Sequence, residues 1–232
     1  MIFLNNSFFY HFVETTDSTN LLLNEIVEKK GGDGLPDFFC VVADYQNAGR
    51  GQGNKTWQSA KGENILASFY FQPAITPPQQ IYFNHFFALT IRKTIETRLI
   101  VSEQSLETRC IASLQNHNVT IKKPNDIWVD DKKIAGILIE HHIQGDKLKY
   151  SVAGVGINVN QTQFDPALPN PTSLNLILKS SLSREQILQE IVQIGRTYYE
   201  KLQNGAFLEL ENEYEENCLI LTTPPFWHPF KN

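Results

Sequence analysis

One stretch of the chain, Ala43-Asp44-Tyr45-Gln46-Asn47-Ala48-Gly49-Arg50-Gly51-Gln52-Gly53-Asn54-Lys55-Thr56-Trp57, leaves a β-rich run and enters alternating glycines around an arginine. Glycine has no Cβ, so such a loop can take positive φ and turn successive backbone amides toward an anion. The planar guanidinium of Arg50 adds a fork for phosphate or carboxylate. This is the chemistry of nucleotide binding; on composition alone a plain surface turn is an equal alternative. The loop is no Walker A sequence, because Gly53-Asn54-Lys55-Thr56 separates glycine from lysine, and no dinucleotide GxGxxG occurs.

Three further segments carry polar or conformationally special residues. Lys122-Lys123-Pro124-Asn125-Asp126 puts a fixed turn after a strand, and Asp131-Lys132-Lys133-Ile134-Ala135-Gly136-Ile137-Leu138-Ile139-Glu140 then returns Lys133 to the same rim of the sheet. A solvated hairpin tip is the plainer reading of that cluster. Gly154-Val155-Gly156-Ile157-Asn158 sets glycines inside an apolar strand, which marks either the close approach of a ligand or another backbone, or a β-bulge. Asp17-Ser18-Thr19-Asn20 stands at a helix start and, taken alone, reads as a cap. His141 and His142 are adjacent on a predicted strand and so point to opposite faces, which argues against a shared metal. No GxSxG elbow supports a serine triad.

These segments need elements to position them. Ser7 to Glu14 alternates as a strand, and a helix with Leu21, Leu22, Ile26 and Val27 follows until Gly31-Gly32. Phe38 to Tyr45 and Ile65 to Phe71 read as buried strands, separated by a polar, glycine-rich connection long enough to be functional. Gln80 to Ile100 reads as a helix. Val119 to Lys122, Ile127 to Val129, Lys133 to Ile143 and Leu148 to Asn158 read as neighbouring antiparallel strands, with turns at Pro124-Asn125, Asp130-Asp131 and Gly145-Asp146. Ser183 caps a helix through Leu202, and a shorter acidic helix starts at Phe207. Helices segregate from a strand-rich middle, so the class is α+β with a mixed, largely antiparallel sheet flanked by helices.

Composition bounds the reading. With 232 residues, 41% hydrophobic and 19% charged, the chain can bury a full core in one large domain, with room for a small appendage. A formal net charge of −5 argues against a chain that coats nucleic acid. Cys40, Cys110 and Cys218 are few and far apart with no CxxC, which fits a reducing cytoplasm rather than a disulfide framework. No secretory leader and no apolar run of about 18 residues is found, so neither secretion nor membrane insertion is expected.

In this order, the four segments resemble the catalytic domain of the biotin protein ligase family. Asp17-Ser18-Thr19-Asn20 is similar to its DSTN, Gln46-Asn47-Ala48-Gly49-Arg50-Gly51 to its QxAGRG, and Pro124-Asn125-Asp126 with Lys133-Ile134-Ala135-Gly136 to its PND and K(L/I)AG. The resemblance implies a class II aminoacyl-tRNA-synthetase-like biotin/lipoate ligase domain over residues 1–205, which joins biotin to ATP as biotinyl-5′-AMP and passes it to a lysine of a carboxylase carrier protein. It implies Lys133 and Arg50 as the catalytic cations. Ser18, Thr19, Asn20, Gln46, Gly49, Arg50, Gly51, Lys133 and Gly136 would surround biotin. Arg50, Gly51, Gln52, Gly53, Trp57, Lys122, Asn125, Asp126 and Asn158 would surround ATP, with Trp57 near the adenine and Asp126 orienting Mg2+.

The sequence also departs from that pattern. Gln52 stands where many members carry a second arginine, which implies looser retention of the adenylate. Lys123 stands where a tryptophan usually precedes PND, exchanging a packing ring for a cation that needs a partner if buried. DSTN falls within the first twenty residues, so no N-terminal DNA-binding domain is expected, and residues 206–232 read as a short segment in which the family's small β-barrel is truncated or lacking. A lipoate or octanoate ligase of the same fold is the nearest rival, and a weakly catalytic biotin-binding module is another.

Overall fold

The computed structural model describes residues 2–4, 8–31, 34–106 and 117–219. Expectations that fell on Ser7, Gly32, Cys110 and residues 220–232 lie outside these. β1 (Ile2–Leu4), β2 (Phe8–Thr16), α1 (Thr19–Lys29), β3 (Cys40–Gln46) and β4 (Ile65–Phe71) come first, and a short 3-10 turn leads into α2 (Gln80–Leu106). β5 (Val119–Lys122), β6 (Asp126–Val129), β7 (Lys132–Gln144) and β8 (Lys147–Ile157) follow, then α3 (Leu174–Leu178), α4 (Arg184–Gln203) and α5 (Phe207–Glu216).

The strands form one sheet in the order β1-β2-β3-β4-β8-β7-β6-β5. Among the described strands only β2 and β3 pair in parallel, because α1 carries the chain across between them; every other neighbour is antiparallel. The mixed sheet flanked by helices is thus the architecture expected from sequence. Tight turns set the antiparallel run: Gly145 adopts φ +63° between β7 and β8, a conformation that glycine takes at no steric cost.

Alternation along the strands separates two faces. Ala67, Phe69 and Phe71 of β4 and Ala153, Val155 and Ile157 of β8 join the apolar layer under α2 and α4. Phe71 is fully buried, with ring centroids of Phe38, Phe83, Phe86, Phe87 and Tyr199 between 4.8 and 6.1 Å away. The opposite face carries a smaller cluster in which Leu23 and Val27 of α1 meet Val41, Tyr70, Tyr150 and Val152. Large buried side chains of this kind each stabilise by about 1.5–3 kcal/mol, and the α2 side holds most of them.

Three local expectations change. α2 runs to Leu106, six residues past the predicted end at Ile100, because no glycine or proline interrupts it. Gly154 and Gly156 sit in an unbroken β7–β8 register whose only shift lies between His142 and Ile143, so they do not mark a bulge. His141 and His142 do take opposite faces: His141 bonds Ser151 and Asn84, while His142 stacks on Tyr150 at 4.1 Å.

Candidate active site

The face under α1 is not closed by apolar packing along its whole length. Beyond the Leu23 cluster, β7 and β8 present Gly136, Gly154 and Gly156, and a cavity of about 240 Å³ opens above them. The glycines are needed because side chains from elsewhere rest on the sheet. A Cβ on Gly154 would collide with the Asn20 amide, one on Gly156 with the Trp57 indole, and one on Gly136 would lie 2.9 Å from Trp57 Cζ3. The close approach anticipated from the glycines is therefore made by the protein's own Asn20 and Trp57.

The start of α1 supplies one end of the cavity. Ser18 occupies the N-cap position, yet its side chain makes no capping bond; it is 3% exposed and faces the cavity. The capping reading of Asp17-Ser18-Thr19-Asn20 is thus replaced by a polar floor. Gln46 Oε1 accepts from Thr19 N at 2.7 Å and from Thr19 Oγ1 at 3.0 Å. Ser68 Oγ lies 2.7 Å from Thr19 Oγ1 and donates to Asn20 Oδ1 at 2.6 Å. Ser68 is a site residue the sequence reading missed, and the available signal was a lone hydroxyl in the strand Ile65-Leu66-Ala67-Ser68-Phe69-Tyr70-Phe71.

The glycine stretch folds as a narrow ribbon over the mouth. Trp57 N donates to Gly49 O at 2.9 Å, Gly51 N to Lys55 O at 2.8 Å, and Arg50 bridges Thr56 across it. Of the glycine amides, the Gly51 N–H is turned to its own ribbon and is spent there rather than offered to the cavity. Arg50, Gly51, Gln52, Lys55 and Trp57 line the cavity. Gly49 stands behind the lining, where a Cβ would strike the Trp57 carbonyl, and Gly53 forms the ribbon's tip at φ +63° with open space around it.

The rim opposite comes from the β5–β6–β7 hairpins. Lys122, Asn125, Asp126 and Lys133 all line the cavity, so the predicted return of Lys133 to the turn side is observed. Lys133 Nζ lies 2.7 Å from Asp126 Oδ1 and 5.7 Å from the Trp57 ring centroid. Its backbone is held by the loop before α3, donating to Asn170 O at 2.8 Å and accepting from Thr172 N at 2.9 Å. Asn158, expected beside the nucleotide, does not line the cavity. It is 5% exposed, and its Nδ2 donates to Thr172 O at 2.9 Å, bracing the segment that holds Lys133.

Lys123 is exposed and needs no burial. Its Nζ meets both Glu215 oxygens at 2.6–2.7 Å, and this carboxylate raises the ammonium's pKa above its ordinary value. The cation that replaces a ring therefore docks α5 against the turn, where Tyr214 Oη also donates to Pro124 O at 3.3 Å. Next to the main cavity a smaller crevice reaches His141, whose pKa falls from 6.5 to about 4 because it is buried, with a further push from His142. Asp126 is the acidic side chain on the main cavity's wall. Among the described residues no group of three or more His, Cys, Asp or Glu could hold a metal ion, and no helix is long and apolar enough to cross a membrane.

A buried polar floor, a glycine ribbon and a rim of Arg50, Lys55, Lys122 and Lys133 on a mixed sheet define an α+β domain built to take a polar small molecule together with an anion. Residues 12–158 match the Biotin/lipoate A/B protein ligase family, and the chain belongs to that family. It is 27% identical over 217 residues to the "Bifunctional ligase/repressor BirA" of Bacillus subtilis (strain 168), an alignment covering 92% of this chain and 60% of that protein. The chain thus spans about 60% of the length of that curated relative. Among solved structures, the fold resembles a biotin protein ligase from Aquifex aeolicus in complex with biotin and ATP, with TM-score 0.69, 22% identity and coverage of 91% of this chain and 78% of that one. A biotin protein ligase from Leishmania major in complex with biotinyl-5-AMP matches with TM-score 0.68 and 22% identity, covering 97% and 87%.

Proposed function

We propose that the chain is an ATP-dependent biotin ligase. In the first step the biotin carboxylate attacks the α-phosphorus of ATP, the bond to pyrophosphate breaks, and biotinyl-5′-AMP forms. In the second, the neutral amine of a lysine on a carboxylase's biotin carboxyl carrier protein attacks the acyl carbon, and AMP leaves with the bonding electron pair. The single observation that carries this reading is the polar cluster of buried Thr19 and Asn20 with Gln46 on the wall of a cavity rimmed by cations, braced from behind by buried Ser68. A ureido ring offers donors and acceptors on one rigid edge, and buried donors and acceptors must be matched. A lipoyl or octanoyl chain would leave that cluster facing methylenes.

Each residue then has a task. Ser18, Thr19, Asn20 and Gln46 read the ring, and Gly136, bare of a side chain, lets Trp57 lie against the sheet next to them. Lys133 lies between the acid and the α-phosphoryl oxygens and offsets the charge that builds as two anions meet, the kind of fixed cation that transition states reward most. Arg50 and Lys55 face the same charge from the ribbon, and Lys122 and Asn125 from the turn. Trp57, laid on the sheet over Gly136 and Gly156, excludes water from the mixed anhydride. The cavity of about 240 Å³ is below the ~300–1,000 Å³ usual for ligand sites.

Magnesium, when bound, neutralises phosphate charge. Asp126 suits it, since Mg2+ takes few protein carboxylates and keeps phosphate and water ligands. ATP–pyrophosphate exchange tests the reading: exchange should require biotin and be absent with lipoate or octanoate. Exchange supported by lipoate and not by biotin would replace it with the rival ligase.

A further inference from the structure

Glu140 lies on β7, outside the cavity lining, and its carboxylate is divided between two elements. Oε1 is 2.9 Å from Arg50 Nη1 on the ribbon. Oε2 accepts from Asn20 Nδ2 at 3.0 Å and from Asn24 Nδ2 at 3.3 Å, both on α1. Arg50 on the ribbon and Asn20 on α1 both line the proposed site. We propose that Glu140 is a positioning residue that ties the ring-reading end of the cavity to the glycine ribbon through Arg50, so that seating of the acid on Asn20 is felt by the ribbon that covers the phosphates. The identity of that acid rests on the function proposed above.

The chemistry of the bridge is specific to a carboxylate. Three donors approach Glu140, Arg50 on one side and Asn20 with Asn24 on the other, and only a group with an acceptor on both oxygens can take donors from both sides. Asn20 cannot turn its amide to accommodate a donor. Its Nδ2 also donates to Leu138 O at 3.2 Å and its Oδ1 accepts from Ser68 Oγ at 2.6 Å, so a flip would set oxygen against oxygen at Leu138. On the other side, one Arg50 nitrogen is pinned while the guanidinium's remaining donors stay available to an anion. Arg50 is 43% exposed and Glu140 25%, so solvent screens the pair, and its effect is local order at the ribbon rather than global stability. The ribbon's own cross-links, Gly49 to Trp57 and Gly51 to Lys55, close it on itself. Arg50 to Glu140 is the side-chain ion pair that fastens it to the sheet.

Glu140→Gln has nearly the same volume but loses the charge and one acceptor; its single oxygen is claimed by the two α1 donors, Asn20 and Asn24, so the arm to Arg50 breaks. Amide hydrogen exchange over residues 48–57 in the unliganded protein should rise by about threefold or more, while exchange across 150–157 in β8 stays as in the parent. Biotin alone should protect 48–57 in the parent and do so by less than about half as much in Glu140→Gln. Arg50→Gln cuts the same tether from the ribbon side. The double substitution should loosen the ribbon no further than either single one, because residues acting through one contact are not additive. Unchanged ribbon exchange in Glu140→Gln, or additive effects in the double variant, would overturn the proposal. Should Glu140→Gln not fold, Arg50→Gln must by itself raise exchange at 48–57, and its failure to do so would overturn it equally. Calorimetry of biotin with the parent protein separates the two claims. Absence of binding would defeat the functional reading, while the ribbon tether, read without ligand, would still stand or fall on exchange.

Discussion

The two faces of β8 show how one strand can serve a core and a site. On the α2 side Ala153, Val155 and Ile157 pack into the main apolar layer. On the α1 side, one residue over each time, Val152 packs, and then Gly154 and Gly156 leave the surface bare so that Asn20 and Trp57 can rest on the sheet. One face is filled by the strand's own side chains; the other is filled from outside, by groups that can also touch a ligand. The core face therefore decides whether the chain folds, and the glycine face decides what it recognises. Substitutions on the first should change stability with little effect on chemistry per folded molecule, and those on the second the reverse.

The largest effect should come from the site side. Lys133→Met keeps most of the stem and removes the charge, so biotin-dependent pyrophosphate exchange should fall by about 100-fold or more, the scale for losing one transition-state donor. Circular dichroism should show the parent fold, because Lys133 and Asp126 are both partly open to solvent. Undiminished exchange in a folded variant would remove Lys133 from the mechanism. The matching core experiment is Phe71→Ala, which should cost about 3–5 kcal/mol in denaturant unfolding while KM for biotin in the folded protein stays unchanged.

Gly154→Ala moves the comparison onto a single methyl. Its Cβ displaces the Asn20 amide, and overpacking of this kind costs about 1–3 kcal/mol, so calorimetric affinity for biotin should weaken by roughly fivefold or more. If affinity holds, the floor is not where the ring sits. Gln52→Arg acts at the mouth, which Gln52 lines. A charge-assisted contact to phosphate is worth about 1.5–3 kcal/mol, so escape of biotinyl-adenylate should slow and the ratio of bystander to carrier labelling should fall. An unchanged ratio would mean that Lys55 or Lys122 already retains the intermediate.

The smallest effect concerns pH. His141 is half-buried on the core side, and its folded pKa of about 4 lies below the ordinary 6.5. The unfolded chain therefore binds the extra proton first, and this contribution to stability is whole above pH 6.5, declines as pH falls and is gone below about 4. In His141→Gln the loss of melting temperature between pH 6.5 and 4 should be smaller than in the parent. An identical slope would assign the acid sensitivity elsewhere.

Much of this division was legible in the residues. Strand alternation, the Gly145-Asp146 turn and the Ser183 cap place the elements because each is a local signal, read within a few positions. The chemistry of Lys133 and Arg50 was legible as type and spacing. Contacts made across the sheet were not. Nothing near Gly154 announces that Asn20 will lie on it, nothing near Glu140 shows that it will receive both α1 and the ribbon, and Ser68 is silent inside an apolar run. Lys123 read as a misplaced cation because its partner, Glu215, comes from a helix far along the chain. Asn158 was placed at the ligand by its motif, whereas its side chain is spent on Thr172. Local patterns fix elements; the partners that make a site arrive from elsewhere in the sequence and must be seen in three dimensions.

The account rests on the α1-side cavity being the place where biotin is activated. A single-turnover reaction of the purified chain with biotin and ATP labelled at the α-phosphate, without any carrier, tests this most directly. The account predicts biotinyl-5′-AMP in an amount equivalent to the enzyme, held on the protein and not formed when octanoate replaces biotin. Adenylate formed from octanoate but not from biotin, or from neither acid, would contradict it.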